Sequence, residues 1–237
     1  MSNTTTIALR EFKSYLTSPT AYVVTGIFLL LTGFLFSVSP TTYSETSLRG
    51  LWGLWGVMVL LLIAAVLTMR LLAEEKKMGT LELLLTAPVR DSEVIAGKFL
   101  GSLGILTVML ALTFYYPILL MWFGDPDWGP IVAGYLGLFL LGGASLAVGL
   151  FASSLTSNQI VAAVVAGGIL FALWFAGMAA DLIPEALGEV ISYLSLSSHF
   201  SSFTRGVIDT RGIIYYLSIT ALFLFLAVRS LENSRWS

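Results

Sequence analysis

Three carboxylates, Glu74, Glu75 and Glu82, stand close enough in sequence to hold a divalent cation or to relay protons. Lys76 and Lys77 lie between them, and interleaved charge of both signs reads better as a solvated, partner-facing surface than as a metal cage. Gly97-Lys98 has the ending of a phosphate-binding loop, but that loop needs glycine where Ser92 stands and serine or threonine where Phe99 stands. A nucleotide-binding motif is therefore absent from the chain. The single histidine, His199, could pair with a serine, yet Ser145 sits in Gly-Gly-Ala-Ser-Leu and lacks the setting of a nucleophile. With one histidine and no cysteine, thiolate and histidine-built metal sites and cysteine nucleophiles are excluded. No catalytic residue and no metal ligand is expected.

The carboxylates sit in the only dense patch of charge, residues 70–90. If Thr80 begins a helix, its hydroxyl is available to the orphan amides and Gly79 permits the bend before it. Leu81, Leu84, Leu85 and Pro88 then share one side, while Glu75, Gly79, Glu82 and Thr86 share another. A short amphipathic helix of this kind can lie at a bilayer surface, leucines inward and carboxylates free to touch a partner.

The rest of the chain is membrane-like. Its 237 residues are 57% hydrophobic and 11% charged, against about a quarter charged in soluble domains. A net charge of −2 gives no basic face for nucleic acid. A spanning helix needs about 20 mostly apolar residues, and the uncharged runs place spans at about 21–38, 51–69, 99–123, 131–152, 160–180 and 212–228. The first run follows about twenty residues and is of full span length, so it is expected to be a retained helix with Ser18 as N-cap and Pro19 in its first turn. The polar cluster from Ser153 to Gln159 supplies the turn between the fourth and fifth spans. The expected fold is all-α: one domain, residues 1–237, of six transmembrane helices.

Six spans put both ends of the chain on one side. With those ends inside, nine lysines and arginines face the cytoplasm (Arg10, Lys13, Arg70, Lys76, Lys77, Arg90, Lys98, Arg229 and Arg235) and three face out (Arg49, Arg205 and Arg211). Short loops rich in such residues stay in the cytoplasm. Residues 7–16 place Ala8, Leu9, Phe12, Tyr15 and Leu16 on one face and Arg10, Glu11, Lys13 and Ser14 on the other, which is the pattern of an interfacial helix. Asp91, Ser92 and Glu93 suit the start of the third helix. Small residues recur at Gly97 and Gly101, at Gly143 and Ala147, and from Gly168 to Ala180, a spacing that allows close helix packing in lipid. In the outer segment 181–211, Leu187, Val190, Ile191 and Leu194 oppose Glu185, Glu189 and Ser192, and Phe200, Phe203 and Val207 suggest a second returning piece.

Glu74-Glu75, then Gly79-Thr80-Leu81-Glu82-Leu83-Leu84, Pro88 and Gly97-Lys98 resemble the loop between the second and third spans of type-2 ABC transporter permeases. The resemblance implies a coupling loop, residues 70–95, that fits a cleft of a separate ATP-binding subunit through Glu74, Glu75, Gly79, Thr80, Glu82, Leu85 and Pro88. Arg10-Glu11-Phe12 with Ser18-Pro-x-Ala-Tyr22 is similar to the gliding-motility-type branch, in which an N-terminal helix lies beside the ATPase and would bring Arg10 to it. His199-Phe-x-x-Phe203-x-Arg-Gly-Val-Ile-Asp209 resembles the same branch and implies external re-entrant helices carrying Glu185, Glu189, His199, Phe200, Phe203 and Arg205. It further implies a multi-pass subunit of the cytoplasmic (inner) membrane, acting as an exporter or on an extracytoplasmic accessory protein. Its partners would be two ATP-binding subunits and a second permease copy or paralogue. The chain itself would hold no cofactor, ATP and Mg residing in the partner. The alternative is an ion-coupled carrier or channel, which should place ionisable residues inside its spans.

Overall fold

The computed structural model describes residues 3–39, 47–80, 89–122, 124–180 and 184–233, which form helices joined by turns and short loops, with no strand among them. In chain order the helices are α1 (Asn3–Thr17), α2 (Pro19–Val38), α3 (Leu54–Thr68), α4 (Ala73–Met78), α5 (Asp91–Leu112), α6 (Tyr115–Leu120), α7 (Trp128–Leu155), α8 (Gln159–Ala180), α9 (Glu185–Tyr193), α10 (Leu196–Thr204) and α11 (Thr210–Asn233). Among the described residues six helical stretches are long and apolar enough to cross a membrane: α2, α3 running on into α4, α5 with α6, α7, α8 and α11.

The fourth crossing, α7, is the hub, with 78% of its most apolar stretch buried inside the bundle. Small residues make this possible, because without a hydrophobic drive between helices in lipid, close backbone approach supplies the packing. At Gly149 the approach to α3 is so close that an added Cβ would fall 1.9 Å from Thr68 Oγ1. By contrast, Gly168 of the α8 row has open space beside it, so this row does not seat a neighbour there. Asp127 caps α7 by accepting from the Gly129 amide at 3.2 Å.

Three local expectations are corrected. The third crossing is not one helix: α5 ends at Leu112 and α6 starts at Tyr115. Pro117 explains the break, since its ring collides with the carbonyl four residues back, that of Thr113. The Thr113 carbonyl is satisfied instead by the Tyr135 hydroxyl at 2.8 Å and the Tyr116 amide at 3.0 Å, as an apolar surrounding demands. Ser153 and Ser154 belong to the last turn of α7 and not to the following turn, which is confined to residues 156–158. Ser18 occupies the N-cap position of α2 with Pro19 behind it, but its hydroxyl makes no cap bond because it accepts from Arg70 Nη1 at 3.2 Å.

At the end of the bundle opposite α1 and α4, α9 and α10 form two short helices before α11. Leu196, Phe200 and Phe203 are buried, and the hydroxyls of Tyr215 and Tyr216 donate to the carbonyls of Leu194 and Leu196 at 2.6 and 2.8 Å. Val190 of α9 and Leu194 just after it are exposed while Ile191 is half-buried, so these residues do not pack as one face against the bundle.

Candidate functional site: a buried lysine between the surface helix and the charged loop

The amphipathic pattern of residues 7–16 does form a helix, but the stripe it buries is narrower than the apolar face. Ile7, Ala8, Glu11 and Phe12 run against α5 and Tyr15 is buried toward the end of α3, while Leu9 and Leu16 remain exposed. The seat is the glycine pair Gly97 and Gly101: a Cβ on either would lie 2.7 Å from Ile7 Cβ and 2.6 Å from Glu11 Cβ respectively. Sequence alone left the partner of this pair open, and the structure shows it to be α1. Tyr15 closes the contact, its hydroxyl donating to the Leu67 carbonyl at 2.8 Å and its ring lying 4.7 Å beneath the Arg70 guanidinium. Burial raises the Tyr15 phenol well above its ordinary range, the charge of Glu11 adds to this, and Arg70 opposes it.

Glycine pairs on α5 thereby carry Lys98, one position after Gly97, into the interior at 3% exposure. Its ammonium donates to Glu75 Oε1 at 2.6 Å and lies 3.6 Å from Glu11 Oε2. An isolated buried ammonium is strongly disfavoured, and two flanking carboxylates are what make this one tenable. Glu75 Oε2 is buried without a hydrogen-bond partner. Beside the pair lies a cavity of about 320 Å³ lined by, among others, Arg10, Glu11, Arg70, Glu74, Glu75 and Lys98.

Helix α4 is only six residues long and borrows its support. Its first amides, Leu72 and Ala73, both donate to Ser153 Oγ of α7 at 3.0 Å, and that hydroxyl in turn donates to the Met69 carbonyl at 3.1 Å. Lys76 Nζ donates to the Ser154 carbonyl, which also accepts from Ser230 of α11 at 3.2 Å. At its far end α4 stops at Gly79, whose φ of +69° belongs to the left-handed region and gives the expected bend. Thr80 follows the bend. It is helical, and its hydroxyl also donates to the Glu75 carbonyl at 3.4 Å, the amides ahead lying outside the described residues.

Of the residues singled out from sequence, Glu74 and Glu75 are half-buried and share the cavity with Arg10, whereas Lys77, Met78, Gly79 and Thr80 are exposed at the tip. Glu82, Leu85 and Pro88 lie outside the described residues. At the opposite end, Glu189 is exposed, Phe200 and Phe203 are core, and Arg205 Nε donates to the Ser201 carbonyl at 3.2 Å. The His199 ring stacks on Tyr215 at 3.8 Å between centroids, and the Glu185 side chain lies outside what is described. Sequence reading passed over Lys98, Glu11 and Ser153 as members of the charged end. The signal for Lys98 was a lone lysine one step from a close-packing glycine, within an otherwise apolar helix. Among the described residues no three acidic or histidine side chains converge on a metal position.

Six apolar crossings with their buried charge gathered at one end define a multi-pass membrane protein. Residues 34–229 match the ABC-2 family transporter protein model, and the chain belongs to that family. It is 28% identical over 189 residues, 75% of its length, to the "Probable multidrug ABC transporter permease YbhS" of Escherichia coli K12, and equally to the protein of that name in Escherichia coli O157:H7. The chain spans about half the length of these curated relatives, 48%.

Proposed function

We propose that the chain is the membrane-spanning permease subunit of an ATP-driven ABC transporter, working as an exporter and coupled through residues 74–90 to a separate ATP-binding subunit. The observation that carries this reading is the α4 tip. A six-residue helix is braced from within by Lys98 and Ser153, ends at the left-handed Gly79, and leaves residues 77–80 exposed beyond the bundle. A mere connector has no need of such bracing. The site lies within the matched family region, and the relatives' name as probable permeases supports the same assignment. In this reading Glu74, Gly79, Thr80, Glu82, Leu85 and Pro88, with Arg10 from α1, meet the ATP-binding subunit, and Glu75 supports them from behind.

The complex would hold two ATP-binding subunits and a second permease, identical or paralogous, in the cytoplasmic (inner) membrane. The external helices α9 and α10, with Glu185, Glu189, His199, Phe200, Phe203 and Arg205, act as the re-entrant element facing any extracytoplasmic accessory protein. The gliding-motility-type branch belongs to this proposal through the residue patterns at 10–22 and 199–209. The ion-coupled alternative is disfavoured because the buried ion pairing found here sits at one end of the bundle and not at mid-span.

Energy should therefore come from outside the chain. Purified alone, the protein is expected neither to bind nor to hydrolyse ATP. Hydrolysis should appear when its cognate ATP-binding subunit is added. Turnover by the isolated chain that survives contamination controls would refute the assignment.

Topology supplies a second test, from the nine-to-three split of basic residues. Reporter fusions at the N-terminus, after Lys77 and at the C-terminus should read cytoplasmic, and those at Thr46 and Glu189 external. An external reading at Lys77 would remove the coupling loop from the side where ATP is made available.

A further inference from the structure

We infer that Lys98 is the positioning residue of the coupling apparatus: its shared ammonium clamps α4 to α1, so that the two elements move as one body under the ATP-binding subunit. The inference rests on the permease reading and deepens it by adding a residue that touches no partner. Each element already has its own attachment. Packing of Ile7 and Glu11 Cβ onto Gly97 and Gly101 seats α1 on α5, and Ser153 seats α4 on α7. Neither attachment joins α1 to α4.

The Lys98 ammonium does, donating to Glu75 of α4 at 2.6 Å and standing 3.6 Å from Glu11 of α1. An ammonium has three donors and can serve both carboxylates at once. At 3% exposure for the lysine, the interaction is weakly screened by salt, unlike the exposed Arg229–Glu232 pair. The family match begins at residue 34, so Glu11 lies outside it and the clamp joins a matched segment to an unmatched one.

The chain has no cysteine, so two introduced cysteines can carry spin labels without background. Ser14 on α1 and Lys77 on α4 are both exposed, and Ser14→Cys with Lys77→Cys reports the distance between the helices by pulsed electron resonance in lipid nanodiscs. In the complex with its ATP-binding subunit, the otherwise unaltered chain should give one narrow distance that ATP plus vanadate leaves unchanged. The comparison is the neutral variant Glu11→Gln/Glu75→Gln/Lys98→Met, which removes the clamp without stranding a buried charge. It should insert and copurify normally, give at least a twofold broader distribution, and shift on addition of ATP plus vanadate because α4 alone follows the partner. A distribution in the variant as narrow as the parent's, or a parent distance that changes with nucleotide, overturns the clamp. If the parent chain captures no ATP-binding subunit, the permease reading fails instead, and the nucleotide-free comparison still decides the clamp.

Discussion

Gly149→Leu is expected to be severely damaging, preventing α7 from closing on α3. An added Cβ would lie 1.9 Å from Thr68 Oγ1 and 2.9 Å from its Cβ, far inside contact distance. The neighbour cannot yield. Thr68 is fully buried, is stiff at χ1 by virtue of its branch, and donates its hydroxyl to the Ala64 carbonyl at 2.8 Å. Overpacking of this kind costs about 1–3 kcal/mol for small insertions, and a leucine should exceed that range, at roughly 4 kcal/mol or more. The helix-propensity gain from replacing glycine, about 1 kcal/mol, is too small to compensate. Thermal unfolding in detergent is the measurement. Gly167→Ala, where nothing lies within 4 Å, is the control and should melt with the parent protein or slightly above it. Equal melting of the Gly149 variant would show that α7 and α3 do not approach as described.

Glu82→Lys is expected to detach or uncouple the ATP-binding subunit while leaving membrane insertion intact. Reversing a charge at a contact partly closed to water costs about 2–5 kcal/mol, equivalent to a loss of affinity of roughly 30-fold to several thousand-fold. Glu45→Lys, in the loop proposed to face outward, is the matched control and should cost less than about 1 kcal/mol if that loop is solvated. Both positions lie outside the described residues, so the pair tests the proposed loop by its chemistry alone. Glu75→Lys is the poorer probe, because it would place a second cation against Lys98 and disturb α4 from inside. Copurification and ATP turnover of the assembled complex are the readouts, and unchanged values for Glu82→Lys would remove the loop from the contact.

Uncharged runs of span length made the six crossings readable from sequence, since the hydrocarbon imposes its thickness on any chain that crosses it. The amphipathic period of residues 7–16 and the bend at Gly79 were readable for the same reason: each is a local property of a few neighbouring residues. What escaped was whatever depends on pairing between distant segments. The carboxylates of Glu11 and Glu75 say nothing, in sequence, of a lysine in the third crossing. Ser153 looked like turn material because serine favours turns, yet its hydroxyl serves amides on another helix. The break before Pro117 carried a visible signal, the proline itself, but the uncharged length of 99–123 hid it. The apolar spacing of α9 was legible in sequence, while the hydrogen bonds that tie the segment after it to Tyr215 and Tyr216 of α11 were not.

The capping of α4 by a residue 80 positions downstream has a consequence for biosynthesis. Six residues are too few to hold a helix in water unaided, so α4 has no stable form while the ribosome has delivered only the first three crossings. Its hydrogen-bonding partner is made with the end of the fourth. Under the proposed coupling role, the α4 tip is thus completed only once the central helix of the bundle is in the membrane, and a nascent or truncated chain would offer an ATP-binding subunit an unfinished surface.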